Sequence, residues 1–331
     1  MNTITVDSYT VHSYAKINLA LDVVGLREDG MHLVDMVMHA ISLGDEIILR
    51  VAECAAGAQG CNAEACIEVT TDSGEIPLGR DNLAFRAAEL ILPQSFYENR
   101  NKLRIHIKKS IPVAAGLAGG SGNAAAVLLG LNHLLKLDLS LDELLALGGQ
   151  LGSDVPFCLL SMAGQADLDA GGSSMSAPDA GGRIRCARAT GTGTDLEVLP
   201  SLAGYVLIAK PPISVMTGEV YKGIDGIEIQ QRPDIEKMCL GLAAGNRAAV
   251  TEEMINVLEL YTLSAYPEVG ELKRLVEDFA PETEKVLMSG SGPTVYAIFS
   301  EQDSCIKAFN NLKTAFKDRH FRDYFLWWGS L

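Results

Sequence analysis

Between Pro112 and Ala126 the chain reads PVAAGLAGGSGNAAA, and this glycine-rich segment has the composition of a phosphate-binding loop. Glycine has no Cβ, so we expect positive φ angles at Gly116, Gly119, Gly120 and Gly122. Backbone N–H groups held in such a loop point inward and can bind an anion. The segment therefore predicts a cradle for a polyphosphate.

A helix is predicted directly after this loop. Asn123 is a suitable N-cap, and leucine and valine recur at helical spacing from Val127 to Leu135. The loop would then end at the positive end of a helix dipole, which favours bound negative charge. Backbone donors and the dipole are thus expected at one place.

The loop matches neither of two common phosphate motifs. A Walker A loop needs Gly-Lys followed by Ser or Thr, and no lysine occurs from Pro112 to Leu135. Residues 120–125 fit a dinucleotide fingerprint, but residues 110–119 are too long for the tight turn of a Rossmann unit, and another helix follows at Ser140. A third interpretation is that the glycines only allow close helix packing.

Further polar residues occupy one face of a predicted strand from Ser13 to Val23. Apolar residues alternate there with Tyr14, Lys16 and Asn18, which share a face at a spacing of about 7 Å. We expect this face to be exposed to solvent. His32 follows at the start of the next predicted strand, after a turn near residues 25–30.

An acidic residue lies at a second predicted turn, in the sequence GSDVPF at residues 152–157. Asp154 stands between a glycine and a proline, directly after a helix that starts with the capping box of Ser140 and Glu143 and closes at Gly148-Gly149. The ordinary alternative for Asp154 is a helix cap, and for Lys16 a solvated strand residue.

Strands and helices follow along the rest of the chain. Patterns predict strands near 46–51, 102–108 and 205–209, and two more strands flanking the glycine-rich turn 289–293. Helices are predicted at 82–92, 267–279 and 303–317. The aromatic tail HFRDYFLWWGSL is typical of a packed terminal strand.

Composition limits the partners. The 331 residues suggest about two domains, and 27 basic against 42 acidic residues give a net charge of −15, so neither a nucleic acid nor a membrane is an expected partner. No window approaches a membrane span, and the first ten residues lack a targeting pattern, so we expect a cytoplasmic protein. The sequence leaves a monomer and a homodimer open.

Seven cysteines without a secretion signal favour reduced thiols. Cys54, Cys61 and Cys66 form a cluster whose spacing fits no zinc pattern.

Residues 163–182 are rich in Gly, Ala, Ser and Asp without periodicity, and we interpret them as a flexible insertion.

Five segments together resemble the GHMP small-molecule kinases. They are SYAKINLALDVVGLREDGMH at 13–32, the 112–126 loop, GSDVPF at 152–157, AKPPISV at 209–215 and MSGSGPTVY at 288–296. The resemblance implies an α+β, two-domain fold with the active site in the cleft between the domains. We expect a β-rich N-terminal domain at 1–200, carrying the glycine-rich loop, and a smaller C-terminal α/β sandwich at 201–331.

The resemblance also implies chemistry. Phosphoryl transfer needs aligned reactants, charge compensation and a base for the acceptor hydroxyl. Asp154 would be that base, and Lys16 would stabilise its carboxylate or polarise the hydroxyl. The cofactors would be ATP and Mg²⁺, with Ser121 as a candidate metal ligand. The residues expected at ATP are Asn82, Pro112, Val113, Ala114, Ala115, Gly116, Leu117, Ala118, Gly119, Gly120, Ser121, Gly122 and Asn123.

The implied substrate is a small molecule, cytidine diphosphate-linked methylerythritol. Asn18, His32 and Tyr221 would bind it, with His32 and Tyr221 at the cytidine; a core tyrosine and a capping Asn82 are the ordinary alternatives. Two residues depart from the family pattern: Gly122 replaces a serine, and Met31 replaces a tyrosine. Another kinase of the family, a catalytically silent nucleotide-binding relative and an NAD-dependent oxidoreductase remain alternatives.

Overall fold

The computed structural model describes residues 7–53, 63–99, 101–163, 184–318 and 323–331. These residues form two compact units, each assembled from several chain segments. The first unit takes the described residues of Met1–Ala15, Leu43–Val113 and Ala118–Arg183. The second takes those of Lys16–Ser42, Ala114–Leu117 and Ile184–Leu331. Apart from Ala163, the predicted insertion lies outside the described residues, as do Cys54 and Cys61.

Ten strands and twelve helices are found in the described residues. The strands are β1 Asp7–Leu26, β2 His32–Glu53, β3 Ile67–Thr71, β4 Asn101–Lys108, β5 Cys186–Thr190, β6 Asp195–Leu199, β7 Tyr205–Lys210, β8 Lys285–Met288, β9 Val295–Phe299 and β10 Phe325–Ser330. The helices are α1 Ala63–Cys66, α2 Leu83–Ile91, α3 Gln94–Glu98, α4 Gly119–Leu134, α5 Leu141–Leu151, α6 Val155–Met162, α7 Thr217–Ile224, α8 Ile235–Ala243, α9 Arg247–Glu252, α10 Glu259–Ala265, α11 Pro267–Phe279 and α12 Gln302–Asp318.

The first unit packs helices against one face of a small sheet. In it β4 pairs with β3 in parallel and with the second half of β2 in antiparallel fashion. Leu103, Ile105 and Ile107 of β4 are fully buried and alternate with more exposed polar residues, so one face of the sheet meets the helices. This core also contains the apolar faces of α2, α4, α5 and α6.

Helix α4 lies unusually close to this sheet. A Cβ added at Gly130 would lie 2.4 Å from Leu49 Cδ1 and 2.9 Å from Val11 Cγ2, so only glycine fits without a shift of those side chains. Ala124 through Leu128 are all completely buried. Small residues on this helix therefore allow close packing against the sheet, in addition to any role of the glycines at its start.

The second unit contains an antiparallel four-stranded sheet of order β10-β7-β9-β8. Val295 to Phe299 are all buried, as expected for a strand covered on both faces. In the same unit the first half of β2 pairs with β5, which pairs with β6. The predicted terminal strand is confirmed as β10, paired with β7.

Most predicted elements are confirmed, including the strands near 46–51, 102–108 and 205–209 and the helices near 267–279 and 303–317. The capping box of Ser140 and Glu143 is present, but the predicted end at Gly148-Gly149 is wrong because α5 continues to Leu151 and Gly152 caps it. The packing of Gly148 against Leu159 and Val155 outweighs the low helix propensity of glycine.

The described part of the chain contains no helix long and apolar enough to cross a membrane. Cys158, Cys186, Cys239 and Cys305 are free thiols. The expectation of reduced cysteines is wrong for Cys66, which is disulfide-bonded. That expectation rested on cellular redox chemistry, which does not determine the state of an individual cysteine.

Candidate active site

The glycine-rich loop takes a different backbone path from the predicted one. Positive φ angles occur at Ala114 (49°), Gly116 (71°) and Ala118 (56°), and the prediction of positive φ at Gly119, Gly120 and Gly122 is wrong. Those three glycines form the first turn of α4. The prediction of Asn123 as N-cap is also wrong, because the helix begins five residues earlier than predicted, with Ala118 in the N-cap position.

Close packing explains the early start of α4. A Cβ at Gly119 would lie 3.0 Å from Ile111 Cγ2, and one at Gly122 would lie 3.3 Å from Ser13 Cβ. The first turn can lie against these residues because Gly119 and Gly122 have no side chains. The N–H of Gly122 donates to the carbonyl of Ala118 (2.8 Å) and is the first intrahelical donor. The N–H groups of the three residues before it in the helix are therefore the predicted anion donors.

Asn123 is buried within this helix. In the orientation that satisfies its neighbours, its amide donates to Asp45 Oδ2 (2.8 Å) and to the carbonyl of Gly119 (3.1 Å). Asp45 also accepts hydrogen bonds from the N–H groups of Ser110 and Ile111 at 2.8 and 2.9 Å. Asn123 therefore has a structural task in holding the first turn of α4.

A lysine that the sequence reasoning missed lies at the entrance to the loop. Lys109 Nζ contacts Asp45 Oδ2 at 2.5 Å, and both side chains are buried. The same ammonium lies 3.2 Å from the point that a Cβ of Gly119 would occupy. The sequence signal for this lysine is KKS at residues 108–110, directly before the loop.

A second glycine-rich turn, at residues 289–293, holds the middle of the loop. Ser289 Oγ donates to the carbonyl of Gly116 (2.9 Å), and a Cβ at Gly116 would lie 2.4 Å from the carbonyl oxygen of Ser289. The N–H of Lys16 donates to the carbonyl of Leu117 (3.1 Å). Gly116 is thus required both by its positive φ angle and by close backbone contact.

Lys16 and Asn18 contact each other in the second unit, as their period-two spacing predicts. Lys16 Nζ donates to Asn18 Oδ1 at 2.7 Å. The predicted solvent exposure is wrong, because Lys16 is 5% and Asn18 0% exposed. The turn at Gly290 covers them: a Cβ there would lie 3.4 Å from Asn18 Oδ1 and 3.6 Å from Lys16 Nζ.

Asn256 fixes that turn, and it was not among the predicted site residues. Its side-chain amide donates to the carbonyls of Met288 (2.9 Å) and Gly290 (2.7 Å), while its Oδ1 accepts from the N–H of Leu258. Asn256 follows a short helix rather than a recognisable motif. Only the folded chain brings it to the turn next to Lys16.

Asp154 occupies the N-cap position of α6 in the first unit. Its side chain makes no capping hydrogen bond, although its carbonyl accepts from the N–H of Cys158 (3.1 Å). The alternative of a purely capping aspartate is therefore not what the structure contains. The positive end of the α6 dipole favours a negative charge at this position.

His32 and Tyr221 come together in the second unit. Their ring centroids are 5.1 Å apart at an interplanar angle of 43°. His32 Nε2 lies 2.8 Å from Oδ1 of Asp225, a partner that the sequence reasoning did not identify. Met31, which precedes His32 in the chain, is 49% exposed and has only an apolar side chain.

Asn82 is the N-cap of α2, which agrees with the capping role predicted as the alternative to an ATP contact. Its Oδ1 accepts from the N–H of Ala84 (2.8 Å), and its Nδ2 donates to the carbonyl of Pro77 (2.7 Å).

Ser121 lies partly exposed in the first turn of α4. The described residues contain no group of three or more His, Cys, Asp or Glu side chains able to hold a metal ion.

Comparison with known proteins identifies the family. The family of GHMP kinases N terminal domains matches residues 82–162, and the family of GHMP kinases C terminal domains matches residues 235–318. The 4-diphosphocytidyl-2-C-methyl-D-erythritol kinase of Alkaliphilus metalliredigens is 39% identical over 93% of this chain and 94% of its own length. The chain belongs to the GHMP kinases.

Two further similarities extend along the whole GHMP kinase chain. The 4-diphosphocytidyl-2-C-methyl-D-erythritol kinase of Clostridioides difficile is 38% identical over 94% of this chain and 93% of its own. A crystal structure of 4-(cytidine 5'-diphospho)-2C-methyl-D-erythritol kinase has a TM-score of 0.70 and 27% identity, covering 97% of this chain and 98% of that one. The predicted two-domain GHMP kinase fold is confirmed.

The domain boundary near residue 200 stays a prediction for this GHMP kinase. The two family matches fall on either side of it. The compact units differ from the predicted domains, because residues 16–42 and 184–200 belong to the second unit. The assigned site residues also stay predictions with respect to ligands. The geometry above defines their surroundings in the protein.

Proposed function

We propose that this GHMP kinase transfers the γ-phosphoryl group of ATP to a hydroxyl of 4-diphosphocytidyl-2-C-methyl-D-erythritol. The observation that carries the proposal is the full-length similarity, 39% over 93% of the chain, to a kinase named for this substrate. A small-molecule substrate and the use of ATP follow from the family itself. The methylerythritol acceptor and the Mg²⁺ ion are the more specific part.

Asp154 is the proposed general base for the acceptor hydroxyl. A base needs a carboxylate oxygen that can accept the leaving proton, and this carboxylate is not used to cap α6. Its role as the base would depend on its position next to the acceptor hydroxyl.

Lys16 is the proposed cation of the transfer step. Its hydrogen bond to Asn18 and the cover of the Gly290 turn hold the ammonium in place before substrate arrives. A buried cation interacts strongly with negative charge because little water screens it. Lys16 would either stabilise the Asp154 carboxylate or polarise the acceptor hydroxyl.

The first turn of α4 is the proposed site for the ATP phosphates. Its unpaired N–H groups and the helix dipole favour a polyphosphate there. Mg²⁺ is usually bound by few protein ligands together with substrate phosphates, so the lack of a carboxylate cluster in the described residues fits a metal that arrives with the nucleotide. Ser121 is the proposed protein contact for that ion, which would neutralise charge on the phosphates.

His32 and Tyr221 are the proposed contacts of the cytosine ring, with Asn18 as a further substrate contact. Tyr221 offers an aromatic face, and Met31 offers apolar contact where the family pattern has a tyrosine. Asn82 is the proposed contact of the adenosine, in addition to its capping role.

A substrate panel tests this proposal. ADP release would be measured with the cytidylylated erythritol, mevalonate, phosphomevalonate, homoserine and galactose, each with ATP and Mg²⁺. The expected result is the highest kcat/KM with the cytidylylated erythritol. A preference for another alcohol would contradict the substrate, and ATP binding without turnover on any of them would indicate a silent relative.

A further inference from the structure

The last turn of helix α7 and its C-cap residue place two side chains against His32. Tyr221 and Asp225 are four residues apart, a spacing that puts them on the same helix face. The Tyr221 ring packs against the imidazole, and Asp225 Oδ1 lies 2.8 Å from Nε2. The His32 side chain is only 10% exposed, whereas that of Asp225 is 48% exposed.

The chemistry of this contact determines which nitrogen of His32 carries the proton. An ionised carboxylate only accepts hydrogen bonds, so Nε2 must be the protonated nitrogen. In a neutral imidazole Nδ1 is then an acceptor. Within the described residues Nδ1 of His32 has no hydrogen-bond partner, so it is available for a group that donates.

We propose that Asp225 fixes the tautomer of His32 and thereby makes this site select a ligand base that donates a hydrogen bond. A cytosine presents an exocyclic amino group, whereas a uracil presents a carbonyl oxygen at the same position. An unprotonated Nδ1 accepts from the first and is repelled by the second. Asp225 is thus a positioning residue that acts through His32. This inference rests on the proposed function, because it assumes that the cytosine binds at His32.

The decisive variant reverses the polarity at position 225. In Asp225→Lys the new ammonium only donates, so Nε2 must accept and Nδ1 must carry the proton. Glu228→Lys is the matched control, since Glu228 is an exposed acid three residues away and has no hydrogen-bond or ion-pair partner among the described residues. Asp225→Glu restores the acceptor. Thermal melts of all three variants would show whether each is folded.

The assay compares kcat/KM for the cytidine diphosphate and uridine diphosphate forms of the methylerythritol substrate. In Asp225→Lys the cytidine-to-uridine ratio is expected to fall about tenfold or more, because a hydrogen bond is replaced by two facing donors. The loss with the cytidine substrate should appear in KM rather than kcat, since the base is not a reacting group. Glu228→Lys and Asp225→Glu should keep the wild-type ratio.

A ratio unchanged in Asp225→Lys, or one changed equally by Glu228→Lys, would overturn the proposal. If the wild-type protein turns over no cytidylylated substrate, the proposed function fails instead, and the tautomer is then tested alone. Long-range ¹H–¹⁵N NMR of histidine-labelled protein, with His32 assigned from His32→Gln among the six histidines, should show the Nε2–H form. An Nδ1–H form in the wild-type protein would overturn the inference independently of any substrate.

Discussion

Lowering the pH should destabilise this protein through one fully buried imidazole, that of His39. Its Nδ1 lies 2.7 Å from the carbonyl of Ala40, and its Nε2 accepts from the N–H of Leu202 at 3.1 Å. These two hydrogen bonds together require a neutral imidazole that carries its proton on Nδ1. A proton added at Nε2 would face the N–H of Leu202.

The pKa of His39 agrees with this geometry. Burial lowers it from its ordinary value of 6.5 to about 4, opposed by the hydrogen bond to Ala40 and helped by the charge of Arg185. The unfolded chain then takes up the proton first, so this contribution to stability is complete above about pH 6.5. It is lost as the pH falls from there through about 4, and the 2.5-unit difference corresponds to about 3 kcal/mol.

The measurement is urea unfolding between pH 4.5 and 8, with wild type compared with His39→Gln. Glutamine can donate to Ala40 and accept from Leu202 but does not titrate, so subtraction removes the effects of the carboxylates that also titrate. The difference in unfolding free energy should change by about 1.4 kcal/mol per pH unit within the window. A pH-independent difference for His39→Gln would refute the reasoning.

Three further predictions concern the site and its supports. Asp154→Asn should lower kcat by about 10² to 10⁴ in the ADP-release assay, because an amide cannot take up the proton of the acceptor hydroxyl; a kcat within about tenfold of the wild-type value would contradict this. Gly116→Ala should destabilise the protein by about 1–3 kcal/mol, because Gly116 has a positive φ angle and its backbone contacts Ser289. Gly149→Ala, in an open position of α5, should instead stabilise the protein by about 0.5–1 kcal/mol. Equal shifts of the two variants in urea unfolding would contradict this contrast. Asp45→Asn should cost about 3–5 kcal/mol, since it leaves the buried Lys109 ammonium without its counter-charge; a loss below 1 kcal/mol in the same measurement would contradict it.

Sequence patterns predicted the elements whose determinants are local. The alternation of Leu103, Ile105 and Ile107 identified β4, and the Ser140 capping box identified the start of α5. The start of α4 was not predictable this way, because it depends on contacts of Gly119 and Gly122 with distant residues. Those contacts outweigh the low helix propensity of glycine.

The candidate site shows the same division. The Lys16–Asn18 contact follows from period-two spacing within one strand. Asp225 and Asn256 were missed because each reaches its partner across many residues, 193 for Asp225 to His32 and 34 for Asn256 to Gly290. Neither belongs to a motif, so only tertiary structure reveals them. Burial of Lys16 was missed because alternation does not show what covers a strand face.

The polar residues around Lys16 are difficult to explain by stability alone. Asn18, Asn256 and Ser289 are buried with it, and burial of polar groups costs free energy even when most of their hydrogen bonds are made. The Thr294 hydroxyl is also buried and has no hydrogen-bond partner in the described part of the chain. Apolar residues of similar size would form this region at lower cost. A chain that keeps a buried ammonium, two amides and a glycine turn together gives up stability locally, and such losses are typical of sites retained for function. This argument supports a functional role for Lys16 independently of the family comparison.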